Sequence, residues 1–167
     1  NGHHEIAFDP DGLAAVTNRD SGSVAFVDPR TAATQRRAAI GGVPIAVVFD
    51  ARERSFVVAD AKGGALHRFD HTGDALGAPL PLEPGLGPMA LSPDGRWLLA
   101  LNPAANKMHV VDMLRWSRGR DVAVAGRPFQ IVMTSQYADL RSLDREDITM
   151  VHWPSLGEGG DARVQRF

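Results

Sequence analysis

Apolar residues in this chain come in short bursts instead of the spaced stripes that mark an amphipathic helix. Runs such as Leu13-Ala14-Ala15-Val16, Phe56-Val57-Val58-Ala59 and Trp97-Leu98-Leu99-Ala100-Leu101 are bounded by clusters of Pro, Gly, Asp and Asn. That punctuation predicts strands joined by tight turns. Polar marks between the runs keep a ruler. Asn18, Asp60, Asn102 and Ser142 lie 42, 42 and 40 residues apart, and ten residues after each come Asp28, Asp70, Asp112 and His152.

A period near forty residues with several strands in each unit is the pattern of a β-propeller blade. The expected fold is therefore all-β: a propeller array over residues 1–167, with four blade units of four antiparallel strands at about 1–42, 43–86, 87–126 and 127–167. Naming the strands of each unit A to D, the third unit is expected at 89–91, 97–101, 107–112 and 121–125. The first reads 6–8, 13–17, 23–27 and 34–40, the second 45–49, 55–59, 65–69 and 75–82, and the fourth 129–133, 137–141, 147–151 and 162–167. Pro93-Asp94-Gly95 supplies a preset φ and a residue that accepts positive φ for the A-to-B turn. In the second unit Ala51-Arg52-Glu53-Arg54 takes that place, and Gly157 to Gly160 reads as a flexible turn in the fourth. No helix is expected. Arg115 to Arg120 fits the pattern worst, and Trp116 there reads as cover for a blade edge or, less readily, as an anchor for a partner.

Composition narrows the partners. The chain has 167 residues, 44% hydrophobic, with 18 basic and 20 acidic side chains and a net charge of -2. No long single-sign run offers a footprint for nucleic acid, and no stretch reaches the roughly 20 apolar residues of a membrane span. Without cysteine there is no disulfide, thiolate metal site or Cys-x-x-Cys-His haem attachment. Asn1-Gly2-His3-His4-Glu5 is no signal peptide, and its position at the start of a repeat unit suggests that upstream sequence has been removed.

In a propeller the loops entering strand A and those joining B to C share the face around the central channel, so candidate chemistry is sought there. These loops bring Arg19, Asp60, Lys62, Asn102, Lys107, Arg127 and Arg145 to one opening as candidate ligand-binding residues. A polar mouth of mixed charge suits a small molecule, a protein or a metal. His3 and His4 are the candidate metal ligands, since neutral imidazoles ligate zinc, copper or haem iron; two adjacent strand residues point apart and supply too few donors alone. The amine of Asn1 with His3 could also complete a square-planar nitrogen site. His67 and His109, each seven residues after a ruler mark, are expected between blades, and His71 in a turn. Asp28, Asp70 and Asp112 are expected to cap turn amides at the end of strand C, with His152 in the same place. No nucleophile elbow, phosphate loop or zinc-protease helix is present.

Ala14-Ala15-Val16-Thr17-Asn18, followed by Gly22-Ser23-Val24-Ala25-Phe26-Val27-Asp28, resembles the YVTN-type β-propeller repeat. That repeat reads Tyr-Val-Thr-Asn, a short loop and a Val-rich strand ending in Asp. Here Ala15 replaces the tyrosine, and the later units keep only Asp60 or Asn102 at the last position. The fourth unit, Pro128-Phe129-Gln130-Ile131 through Asp139 to Asp144, is similar to a blade of the related haem d1-type (nitrite reductase-like) propellers, with Asp139 where an apolar strand residue is expected. The resemblance implies a periplasmic or extracellular setting and a ring of seven or eight blades. Four units then amount to half a ring, missing further blades or completed by self-association.

Three functions follow from these readings. The first is a non-catalytic binding or scaffold module whose channel-face loops hold a protein partner or small-molecule ligand, and it needs no cofactor. The second is part of a haem-dependent redox protein, with His3 or His4 on iron. The third is a lactonase-like hydrolase using Arg19 or His4. The first is favoured, because no residue pattern gives positive evidence of catalysis.

Overall fold

The computed structural model describes residues 4–157 and 162–167, and they form four antiparallel sheets. In chain order the strands are β1 (Ile6–Phe8), β2 (Ala14–Asn18), β3 (Ser23–Val27), β4 (Thr34–Ala39), β5 (Pro44–Asp50), β6 (Ser55–Asp60), β7 (Ala65–Asp70) and β8 (Leu80–Pro81). Then come β9 (Met89–Leu91), β10 (Trp97–Asn102), β11 (Lys107–Asp112), β12 (Ser117–Arg118), β13 (Val122–Ala123), β14 (Pro128–Met133), β15 (Tyr137–Ser142), β16 (Ile148–His152) and β17 (Val164–Arg166). Each sheet is a meander of sequential strands, β1 to β4, β5 to β8, β9 to β13 and β14 to β17. This is the all-β blade architecture expected from the ruler. Among the described residues no helix is long and apolar enough to cross a membrane.

The chain divides into two compact units, residues 1–86 and 87–167, and the division falls between the second and third repeats. Each unit pairs two sheets across a hydrophobic core. In the first, Phe26 contacts Phe56 and Phe69 at ring-centroid distances of 5.7 and 5.4 Å, with Val24, Val47 and Val58 around them. In the second, Leu99, Leu101, Met108 and Val110 meet Ala138, Leu140 and Val151, closed by Trp97 and Trp153. Each fully buried large side chain contributes about 1.5–3 kcal/mol.

The outermost strands depart from expectation. Only Leu80–Pro81 and an isolated bridge from Ala75 to Phe69 form where one strand over 75–82 was expected. Pro79, Pro81 and Pro84 lack the N–H that a ladder needs, and Gly77 turns the chain at φ 73°. In the third sheet the outer strand begins inside Arg115 to Arg120 and is split. Gly119 N donates to Val110 O at 2.7 Å and Val122 faces Met108, so Arg120 and Asp121 together oppose the single residue His109. That is a β-bulge, a device that re-aims a side chain. In the fourth, a 3-10 turn, Trp153–Gly157, follows strand C where no helical segment was expected.

Candidate functional site

The ends of strands A and C are held by side chains repeated along the chain. At the end of strand C, Asp28 Oδ1 accepts Arg30 N at 2.8 Å, Asp70 Oδ1 accepts Thr72 N at 2.8 Å, and Asp112 Oδ1 accepts Leu114 N at 3.0 Å. The capping role expected of these carboxylates is what they perform. After strand A the same job falls to Asp9, Asp50, Ser92 and Thr134, which accept the amides of Asp11, Arg52, Trp97 and Tyr137. These four are spaced 41, 42 and 42 residues apart, a second ruler hidden by the change from Asp to Ser to Thr. Arg54, at φ 45° in the turn that lacks glycine, donates to the buried Asp9 carboxylate at 2.6 Å.

The opposite ends of the sheets carry the candidate residues. The B-to-C turns of the first three sheets each place a residue at positive φ, Gly22, Gly64 and Asn106, spaced 42 and 42 apart. The carbonyls of these three accept Ile40 N, Leu82 N and Val124 N, which ties each turn to the end of its own strand D.

In the first unit Asp60 is 4% exposed, and its Oδ1 gathers three amides: Val43 at 2.8 Å, Lys62 at 3.0 Å and Gly63 at 2.9 Å. The carboxylate rests so closely on Gly42 and Gly63 that a Cβ at either would collide with it. His67 Nε2 lies 4.0 Å from Asp60 Oδ2. Burial pushes the His67 imidazole below its ordinary 6.5, and the Asp60 charge opposes only part of that shift. Arg19 is half-buried and donates through Nη2 to Ile45 O at 3.4 Å, while Lys62 is exposed. His4 is exposed, with Nδ1 2.7 Å from Thr17 O. His3 and the amine of Asn1 lie outside the described residues.

In the second unit Asn102 is fully buried, and its Oδ1 accepts Ala105 N at 3.0 Å. Its Nδ2 faces His109 Nε2 at 3.3 Å, and His109 Nδ1 faces Asp121 Oδ1 at 3.0 Å. Since the carboxylate only accepts, Nδ1 carries the proton and Nε2 accepts from the Asn102 amide. The bulge at Arg120 and Asp121 is what turns Asp121 onto this ring. Arg118 Nη2 at 2.6 Å and Lys107 Nζ at 3.6 Å hold its other oxygen. Burial would raise the Asp121 carboxyl, but the bonds from Arg118 and His109 outweigh it and hold it below 3.8.

Close by, Arg127 stands at φ 54°, with its amide on Asn106 Oδ1 at 2.8 Å and its guanidinium forked on both oxygens of Asp144. That fork holds Asp144 below 3.8. Arg145 pairs with Asp147 at 2.8 Å and lies across Gly126. Ser142, the last ruler mark, donates to Ala125 O at 2.8 Å.

The structure therefore gathers Arg19, Asp60 and Lys62 at one end of the first unit, and Asn102, Lys107, Arg127 and Arg145 at one end of the second. Within these groups Asp60 and Asn102 are buried and occupied by their own loops, while Lys62, Arg127 and Arg145 are exposed. His109 and Asp121 are the polar partners that the sequence did not single out for this end. Among the described residues no three or more His, Cys, Asp and Glu side chains converge as a metal site.

No family model matches the sequence, and no curated protein matches it. Solved structures do resemble it. Virginiamycin B lyase from Staphylococcus aureus superposes with a TM-score of 0.80 at 12% identity, over 98% of this chain and 54% of its own. The Cps50 (Swd1) β-propeller domain of Myceliophteria thermophila gives 0.76 at 14% identity, over 100% and 59%. The dihydro-haem d1 dehydrogenase NirN, solved in complex with DHE, gives 0.69 at 20% identity, over 87% and 34%. These likenesses identify the fold as that of β-propeller blades, and the chain spans between 34% and 59% of those chains.

Proposed function

We propose that this chain is a non-catalytic binding module, a YVTN-type array of four blades that recognises a protein or small molecule through its D-to-A and B-to-C loops. The observation that carries this reading is the fixed Arg127. Its backbone amide, its left-handed φ and its fork on Asp144 hold an exposed guanidinium in place, and Arg145 lies beside it. Groups held before binding lose little entropy on binding. The haem d1-type resemblance and the expected export, to the periplasm or outside the cell, belong to the same reading.

A nitrogen-15 NMR titration tests it, with a panel of haem, zinc and copper ions, phosphate, a dicarboxylate and an acidic peptide. Shifts confined to residues 124–127 and 143–146, lost in an Arg127→Ala, Arg145→Ala variant, are the expected result. Shifts elsewhere, or none with any member, contradict the proposal. So does turnover of a lactone panel that Arg19→Ala or His4→Ala abolishes.

A redox role is the second reading, favoured by the likeness to NirN and by His4, whose Nδ1 is engaged on Thr17 O while its side chain is exposed. A Soret band on adding haem, lost in a His3→Ala, His4→Ala variant, would establish it.

A further inference from the structure

Counting from the ruler marks, Ala15, Val57, Leu99 and Asp139 share one position of strand B, and Thr17, Ala59, Leu101 and Arg141 share another. The six residues from the first three sheets are all 0% exposed. In the second unit Leu99 and Leu101 fill the core between the third and fourth sheets, where Ala138 and Leu140 meet them. Because side chains alternate along a strand, Asp139 and Arg141 point from the other face of the fourth sheet. Two charges of opposite sign have thus replaced two core residues.

The cross-strand register places Asp139 between Val132 and Met150, and Arg141 between Gln130 and Ile148. Gln130, Val132, Asp139, Arg141 and Ile148 line a cavity of about 270 Å³, with Val132 51% exposed and Phe129 and Phe167 exposed nearby. Asp139 Oδ1 is shielded from solvent and has no hydrogen-bond partner among the described residues. The lining mixes Gln130, Asp139 and Arg141 with Val132 and Ile148, and an apolar lid over it would strand the two charges, because a buried charge without a partner is strongly destabilising.

The pattern is self-complementary. Asp139 and Arg141 are two residues apart on one strand face, about 7 Å. When two copies of this face meet about a two-fold axis that crosses β15 midway between them, Asp139 of each copy opposes Arg141 of the other. The apolar residues then close around two symmetric ion pairs, in an isologous contact. A head-to-tail contact fails the same criterion. The face of the first sheet that points away from its core presents Ile6, Val16 and Ala25 with Arg37 beside them, which offers Asp139 a partner but leaves Arg141 without one. We infer that the outer face of the fourth sheet is a self-pairing surface whose occupant is a second copy of this chain. This surface is separate from the loops proposed above for binding.

Sedimentation equilibrium of the 167-residue chain tests the inference over about 1–500 µM, a range that reports micromolar association. A monomer–dimer equilibrium that weakens as salt rises is expected. Asp139→Arg alone, which sets like charges together, should weaken the dimer at least about tenfold, and adding Arg141→Asp should restore most of it. Circular dichroism checks that each variant folds; if the charge reversals do not, Asp139→Asn and Arg141→Gln take their place, each expected to weaken the dimer. A monomer throughout, a dimer indifferent to these changes and to salt, or an assembly abolished by Val16→Asp, as a head-to-tail ring would be, overturns the inference.

Discussion

Asp60 in the first unit and Asn102 in the second occupy the same repeat position, at the end of strand B, and solve the same problem differently. Asp60 uses its charge locally: one oxygen takes three backbone amides, and His67 stands 4.0 Å from the other. Asn102 accepts the Ala105 amide of its loop and donates to a fully buried His109, which a bulge connects to Asp121. A charge close to many amides needs no further partner. A neutral amide in the same place needs a relay that ends at solvent-facing cations, Arg118 and Lys107. The shared position is thus a fixture of the loops.

Breaking the comparison at Asp60 should cost most. Asp60→Ala leaves three amides without their acceptor and is expected to lower urea-unfolding stability by about 3 kcal/mol, whereas Asp60→Asn, which keeps one oxygen, should cost about 1 kcal/mol. Breaking the relay comes next. His109→Ala opens a cavity and removes the ring that accepts from Asn102 Nδ2, an expected loss of about 2 kcal/mol by the same measurement. His67→Ala, at the matching place in the first unit, should cost less than about 1 kcal/mol, because its ring is only half-buried and 4.0 Å from the carboxylate. Equal losses for the two histidines would show that the sheets do not differ as described.

The smallest effect is pH dependence. His67 has its folded value pushed below 6.5, so its contribution is complete above that pH and is lost as pH falls below it, when the unfolded chain takes up the proton first. Thermal melts between pH 8 and 5.5 should show a fall in melting temperature that His67→Gln reduces. The carboxylates act at lower pH. Burial would raise Asp112, but the bonds from Arg115 and from the Leu114 amide hold it below 3.8, so its contribution is present above that value and lost on acidification through its folded value. Asp112→Asn should blunt the acid limb.

Much of this was readable in the sequence wherever the backbone repeats. Met89–Leu91 and Lys107–Asp112 are the strands expected there. Outer strands were less legible, because prolines in one and a two-residue bulge in another decide where the ladder can run. The marks at Asp9, Asp50, Ser92 and Thr134 were hidden for a chemical reason: all four accept an amide, but their residue types differ. Of the candidate residues, Lys62, Arg127 and Arg145 could be placed in loops from Gly and Pro punctuation. The fork between Arg127 and Asp144 could not, since it joins two loops 17 residues apart. Nor could the bond between His109 and Asp121, which exists only through the bulge.

Amide hydrogen exchange at Val43, Lys62 and Gly63, read by NMR in the wild-type chain and in Asp60→Ala, tests most directly whether the ruler residues hold the loops. Slow exchange at all three amides in the wild type and rapid exchange in the variant, with the core amides of β6 still protected, is the predicted result. Unchanged exchange in the variant would contradict the account.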